Sequence, residues 1–215
     1  MSAAIEKALG QSKSHIIDHA TLSNILTNYG YISIKDKIES LKKKSILKSL
    51  KKGLYIHTSQ YSKNIVSKEI VANSLLSPSY VSFDYALYYH GLIPESVVDV
   101  ASATTKRSKS FSTDYGVFSF RQIKKELFHI GLKIESGQNG NYMIATKEKA
   151  LCDKVYFTRD IKIGSKRDMI EFLMYDLRVD FDELDDFDIE IVKKYQQVSK
   201  SKKIKFLEKV IESIV

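Results

Sequence analysis

Apolar residues recur at helical spacing in two short segments near the start of the chain. Thr21 is the predicted N-cap of the first helix and Ser33 that of the second, and residues 28–30 (Asn-Tyr-Gly) form the turn between them. The residues of the second helix predicted to face inward are Ile34, Ile38, Leu41 and Ser45. Two short helices joined by a tight turn are typical of a helix-turn-helix.

Two short apolar-rich strands follow the second helix. They cover residues 46–50 and 54–56, and the turn between them is Lys51-Lys52-Gly53, where glycine permits a positive φ. A further short helix is predicted before the first, over residues 4–9, and a short strand over residues 15–18. Three helices followed by a hairpin are the order of a winged helix. We therefore predict a winged helix-turn-helix domain over residues 1–60.

The pattern changes near residues 59–63, where we place the domain boundary. Beyond it, helical segments are predicted at residues 65–76, 82–90, 146–157, 165–175 and from 188 onward. Strands are predicted at residues 97–101, 110–112, 116–121, 128–135 and 142–145. The predicted fold class is α+β, with the N-terminal winged helix-turn-helix followed by a larger mixed α+β domain over residues 61–215.

Positive charge is concentrated at the start of the chain. The formal net charge is +8, and residues 1–60 contain ten lysines and four acidic residues, which account for +6 of it. A concentrated basic region favours a polyanionic partner, because each neutralised phosphate releases condensed counterions. A solvated lysine-rich surface is the alternative interpretation. The position of the lysines on the second helix and in the hairpin turn favours DNA.

A helical wheel divides the polar residues of the second helix into those that flank the apolar stripe and those that face outward. The lysines on the two flanks of its apolar stripe suit phosphate contacts, and the outward residues Asp36, Glu39, Ser40 and Lys43 would meet base edges. A carboxylate there is repelled by the DNA backbone, although it can accept a hydrogen bond from cytosine N4. The predicted DNA-binding residues are Ser33, Lys35, Asp36, Lys37, Ser40, Lys42, Lys43, Lys44, Lys51 and Lys52.

The amino-acid composition of the chain indicates to which class of protein it belongs. Hydrophobic residues make up 43% of the chain, enough for a substantial core. The single cysteine, Cys152, excludes an internal disulfide and fits a reducing cytoplasm. The first residues lack the apolar run of a signal peptide, and no segment reaches the roughly 18 apolar residues of a membrane span. We expect a cytoplasmic protein with no membrane partner.

Three sequence islands resemble one known family. They are LKKGLY (residues 50–55), SYVSFDYALYYHGL (79–92) and IATKEKALCD (144–153), and together they are similar to the AbiEi-type antitoxins of type IV toxin-antitoxin systems. These systems act in phage defence by abortive infection. One departure is Lys147, where the family usually has proline at the first helical position. The motif residues in the second and third islands are Tyr80, Ser82, Tyr85, His90, Glu148, Lys149 and Asp153.

The resemblance implies two functions. The winged helix would bind inverted repeats in its own promoter and repress the operon, as a homodimer or by cooperative binding. The C-terminal domain would counteract a co-encoded nucleotidyltransferase-like toxin without forming a stable complex. Neither function requires a cofactor, a metal or an enzymatic activity, so we expect none.

Other interpretations of the C-terminal residues remain open. Lys149 and Asp153, four residues apart on one helix, favour a surface ion pair over an active site. The tyrosines of the second island suit either a polar pocket or a core with outward polar tips. Asp160-Ile161-Lys162 resembles the acid-x-lysine element of magnesium-dependent nucleases, with Asp153 as a second carboxylate. A plain regulator with a dimerisation or ligand-sensing domain is a further alternative.

Two smaller features of the sequence concern a metal site and a second basic segment. His15 and His19 have a spacing found in metal sites, but no cysteine or carboxylate cluster accompanies them, which argues against zinc. Lys106-Arg107-Ser108-Lys109 forms a second basic loop. That loop would either touch nucleic acid or keep the domain soluble.

Overall fold

A computed structural model describes residues 15–58 and 66–214 of the chain, together with Ile5, Ala8 and Leu9. These three residues are helical, in agreement with the predicted first helix. The other residues of that helix and the predicted domain boundary at residues 59–63 lie outside the described residues. Residues 15–58 are called the N-terminal unit below, and residues 66–214 the C-terminal unit.

The N-terminal unit combines two helices with a small antiparallel sheet. Its elements are β1 (Ile16–Asp18), α1 (His19–Asn28), α2 (Ile34–Lys43), β2 (Leu47–Lys51) and β3 (Leu54–His57). The sheet has the order β1-β3-β2, so β3 pairs with both neighbours. The two helices, the short first strand and the hairpin predicted from the sequence are confirmed to within a few residues.

The predicted caps of these helices need correction. Asp18, not Thr21, is the N-cap of α1, and its carboxylate accepts a hydrogen bond from the backbone N–H of Thr21 at 2.9 Å. Ser33 does precede α2, but its hydroxyl donates to the Asp36 carboxylate at 2.5 Å and caps no backbone N–H. Ser45 does not continue the inward stripe, because α2 ends at Lys43 and Ser45 is exposed with a φ of 56°.

A small hydrophobic core joins α1, α2 and the sheet. Its buried residues are Ile5, Leu9, Ile17, Leu22, Leu26, Ile38, Leu41, Ile46 and Leu47. The hairpin also belongs to the second, larger core of the C-terminal unit, to which it contributes Leu50, Leu54 and Ile56. The hairpin therefore connects the two cores.

The C-terminal unit is built on one six-stranded mixed sheet. Its strands are β4 (Ser79–Val81), β5 (Val100–Thr104), β6 (Lys109–Thr113), β7 (Gly116–Gln122), β8 (Leu132–Gly137) and β9 (Gly140–Ala145). The order is β6-β7-β5-β4-β9-β8, with β5–β7 and β4–β9 parallel and the other pairs antiparallel. The α-helices are α3 (Lys68–Leu75), α4 (Phe83–Tyr89), α5 (Lys125–Phe128), α6 (Lys147–Phe157), α7 (Lys166–Glu171), α8 (Ile189–Ser199) and α9 (Lys202–Ile211).

The mixed α+β class is confirmed, with several local differences. The central strand β4 was not predicted, because its three residues are all buried and show no alternation of polar and apolar positions. The start of the predicted strand 128–135 is the end of α5 instead. The predicted helix 165–175 is α7 followed by a π-helical turn at Phe172–Asp176, and Lys200, with a φ of 52°, separates α8 from α9. A short 3₁₀ turn lies at Asp182–Leu184.

The hairpin β2–β3 packs directly on the C-terminal unit. The Lys51 ammonium group donates a hydrogen bond to the backbone oxygen of Leu75, at the end of α3, with 2.6 Å between the atoms. It also lies 5.9 Å from the ring centre of Phe111 in β6. These contacts hold the hairpin turn against the β6 edge of the large sheet. None of the helices in the described residues combines the length and apolar content needed to span a membrane.

Candidate functional site

The outward face of α2 is the first candidate. Lys35, Asp36, Lys43 and Lys44 are exposed, and the predicted contacts Lys37, Ser40 and Lys42 are partly exposed. A shallow depression of about 440 Å³ lies on this face, lined by Asp36, Glu39, Ser40, Lys43 and Lys44. The structure thus brings together the four residues that the helical wheel placed opposite the core.

Both acidic residues of this face have local partners. The Asp36 carboxylate accepts a hydrogen bond from the Ser33 hydroxyl. Glu39 pairs with the Lys42 ammonium group at 3.0 Å. Lys35, Lys43 and Lys44, in contrast, form no ion pair with any acidic side chain of the described residues. Because the Ser33 hydroxyl does not neutralise Asp36, three unpaired lysines stand against one unpaired carboxylate, and the net charge of the outward face is positive.

The two lysines of the hairpin turn differ in accessibility. Gly53 has a φ of 79°, which explains the glycine in this turn. Lys52 is exposed, whereas Lys51 is partly buried and bonded to Leu75. Burial, together with the positive charges of Lys109 and Lys106, lowers the pKa of Lys51. Of the two predicted contacts, Lys52 is the one available to a ligand.

The second candidate is a polar cluster inside the C-terminal unit. Its members, called the Asp153 cluster below, are Tyr80, Ser82, Lys149, Asp153 and Tyr195, and all five side chains are fully buried. The Asp153 carboxylate accepts hydrogen bonds from the hydroxyls of Tyr80 at 2.9 Å, Ser82 at 2.8 Å and Tyr195 at 2.9 Å. The Lys149 ammonium group lies 2.9 Å from the same carboxylate.

The Lys149–Asp153 pair predicted for a helix surface therefore lies in the core. Spacing of four residues identified the pair correctly, but it cannot show which face of α6 is covered by other elements. Lys149 also donates to the backbone oxygen of Leu127 at 2.9 Å and lies 4.4 Å from the ring centre of Tyr195. Burial and the Asp153 charge raise the pKa of Tyr80 and Tyr195, so both phenols remain neutral donors.

The other three island residues make separate contacts. The Tyr85 hydroxyl donates to Glu69 at 2.5 Å, and burial raises the pKa of this phenol. His90 donates from Nε2 to the backbone oxygen of Ala145 at 2.8 Å, and burial lowers the pKa of its imidazole. The carboxylate of Glu148 accepts the backbone N–H of Asp188 at 3.2 Å. All three residues tie neighbouring segments together at the border of the core.

Sequence reasoning missed one residue of these sites. Tyr195 completes the Asp153 cluster, but it lies 42 positions from its partner and belongs to none of the islands. No local pattern in the sequence pointed to it.

The enzyme alternative requires Asp153 and Asp160 at one metal. Asp160 is exposed and lines a cleft of about 460 Å³ together with Arg121, Lys154 and Arg159. Asp153, in contrast, is fully buried and bonded to four other side chains, so the structure does not bring the two carboxylates together. In the described part of the chain, no group of three or more His, Cys, Asp or Glu side chains is arranged to hold a metal ion.

No family model matches the sequence, and no curated protein matches it either. One solved structure with a similar fold is the crystal structure of the RV2827C protein from Mycobacterium tuberculosis. The TM-score is 0.67 at 13% sequence identity, and the match covers 98% of this chain and 76% of that chain. At this identity the similarity shows the fold alone.

Proposed function

We propose that the chain is a DNA-binding antitoxin. Its N-terminal unit acts as a winged helix that binds inverted repeats in its own promoter and represses the operon. Its C-terminal unit counteracts a co-encoded nucleotidyltransferase-like toxin without forming a stable complex with it. The protein functions in the cytoplasm as part of a phage-defence system and needs no cofactor.

The exposed face of α2 is the main support for the proposed DNA binding. Two helices followed by a hairpin, with β1 added to its edge, are the arrangement in which a winged helix presents its second helix to the major groove. On this face, Lys42 pairs with Glu39, and the ammonium groups of Lys35, Lys43 and Lys44 outnumber the one remaining carboxylate, that of Asp36. Such a surface is attracted to a phosphate backbone and retains polar groups for base edges.

Two observations support the antitoxin half. The three islands resemble the AbiEi-type antitoxins in order and spacing. The second and third islands, about 70 positions apart, are adjacent in space, because Tyr80 and Ser82 bond to Asp153 and β4 pairs with β9. If the second and third islands together form one structural feature of the family, they must be adjacent in space, as they are in this chain.

Binding to promoter DNA tests the proposal. The full chain should bind a duplex from the region upstream of its own coding sequence more tightly than a scrambled duplex of the same composition. Ser40→Ala and Lys43→Ala should each reduce this preference, by about five- to 150-fold if each contributes a base contact of about 1–3 kcal/mol. Fluorescence anisotropy at several salt concentrations measures both affinities.

The control for this experiment is Lys194→Ala, a variant of an exposed lysine on α8, far along the chain from α2. It should leave the preference unchanged. Equal affinity of the wild-type protein for promoter and scrambled DNA would contradict the proposal. A nucleotidyltransferase-like reading frame beside the gene distinguishes an antitoxin from a plain regulator, and its absence would count against the antitoxin half.

A further inference from the structure

The loop between β5 and β6, together with the first residue of β6, is a second concentration of positive charge and is called the basic loop below. Lys106, Arg107 and Lys109 are all exposed, and they lie at the β6 edge of the six-stranded sheet. None of the three forms an ion pair with an acidic side chain of the described residues. Their charges are therefore available to an external partner.

The basic loop lies beside the hairpin turn of the N-terminal unit. The ring of Phe111 is the common contact, with the Lys109 ammonium group 4.9 Å and the Lys51 ammonium group 5.9 Å from its centre. The hydrogen bond from Lys51 to Leu75 fixes this arrangement. After burial, repulsion by Lys109 and Lys106 is the main influence that lowers the pKa of Lys51, which is consistent with the closeness of these charges.

In the absence of a partner, this grouping of positive charges raises the electrostatic energy of the protein. Like charges from two units are held near one another, and no acidic side chain of the described residues pairs with those on the loop. A polyanion that lies across both units would provide the missing counter-charge. The strand β2 joins α2 to the hairpin turn, so a duplex bound by α2 and by Lys52 of the turn is the polyanion expected at this surface.

We propose that Lys106, Arg107 and Lys109 contact the DNA backbone next to the phosphates contacted by Lys52. The inference rests on the proposed DNA binding of α2 and extends the contact onto the C-terminal unit. Arg107 suits such a contact, because a guanidinium group can hold a phosphate through two parallel hydrogen bonds. Contacts to phosphates position the protein without reading sequence.

The test compares two variants of the full chain on promoter and scrambled duplexes. The loop variant carries Lys106→Gln, Arg107→Gln and Lys109→Gln, all at exposed positions. The control variant carries Lys202→Gln, Lys205→Gln and Lys209→Gln on α9, which are also exposed and remove the same net charge. A difference in DNA affinity between the two variants therefore depends on the position of the removed charges and not on their number.

We expect the loop variant to bind both duplexes more weakly and to keep the preference for promoter DNA. The slope of log affinity against log salt should become shallower by about 0.9 for each lost phosphate contact, and by about 2.7 if all three contacts form. Hydroxyl-radical footprints should lose protection at the outer edge of the site. The control variant should match the wild-type footprint.

Two results would overturn the inference, and they have different meanings. If wild-type protein prefers promoter DNA but the loop and control variants have the same salt slope, the loop does not contact DNA, and the proposed function stands. If wild-type protein shows no preference, the proposed DNA binding fails, and the inference that rests on it fails as well.

Discussion

Asp153 is a fully buried carboxylate with three hydroxyl donors and one ammonium partner. Burial of an ion pair carries a large desolvation cost, which good geometry and additional hydrogen bonds must offset. The partners come from β4, the N-cap position of α4, α6 and α8, so the cluster fixes these elements relative to one another. Its residues therefore hold the fold together, and they are unsuited to contact a ligand directly.

Replacement of the buried cation tests this role. Lys149→Met should lower the free energy of unfolding by about 3–5 kcal/mol, because it leaves the Asp153 carboxylate buried without its counter-charge. Urea denaturation followed by circular dichroism measures the change.

Arg167→Met is the matched control, since Arg167 and Glu171 have the same spacing of four residues on an exposed helix face. The control should show no measurable change. Equal effects of the two substitutions would contradict the structural role of the cluster.

His90 should make stability depend on pH. Burial lowers its pKa in the folded chain below the ordinary value of 6.5. As the pH falls below 6.5, the unfolded chain takes up the proton first, so the free energy of unfolding decreases until the folded-state pKa is passed. His90→Asn should flatten this dependence below pH 6.5. His129→Asn, at an exposed position, is the control and should retain it. An unchanged pH profile in His90→Asn would show that the imidazole does not cause the effect.

Among the elements, those with local signals could be predicted from sequence. The apolar stripe of α2 and the Lys-Lys-Gly turn of the hairpin indicated both correctly, because periodicity and turn chemistry act within a few residues. The central strand β4 has no such signal, since neighbours distant in sequence bury all of it. The same reason hid Tyr195 from the predicted site. The helical wheel predicted which residues of α2 face outward. It could not predict the hydrogen bond and the ion pair that their side chains form.

Those bonds lead to a prediction for α2. Asp36→Asn should strengthen binding to promoter and scrambled DNA alike, by roughly two- to fivefold, the effect of one exposed charge. The carboxylate is already engaged by Ser33, and asparagine can still accept that hydrogen bond. Electrophoretic mobility shifts with both duplexes measure the effect. Glu39→Gln, which releases Lys42, should act in the same direction. A selective loss of promoter binding in Asp36→Asn would show instead that Asp36 reads a base.

The hairpin makes the whole molecule one connected structure. It adds Leu50, Leu54 and Ile56 to the larger core, so removal of residues 1–60 would also expose that core. The two proposed functions are therefore better separated by surface substitutions than by truncation. No pattern in the sequence indicated this connection, because the hairpin residues that form it have the same apolar character as those that face the smaller core.

Lys43→Ala provides the most direct test of the two-function account. Cells would carry a reporter under the chain's own promoter together with the neighbouring nucleotidyltransferase-like gene under an inducible promoter. We expect Lys43→Ala to derepress the reporter while cells still survive induction of the neighbouring gene, because the exposed α2 lysine is remote in sequence from the second and third islands, which lie in the C-terminal unit. Full repression by Lys43→Ala, or death of cells that express the wild-type chain, would contradict the account.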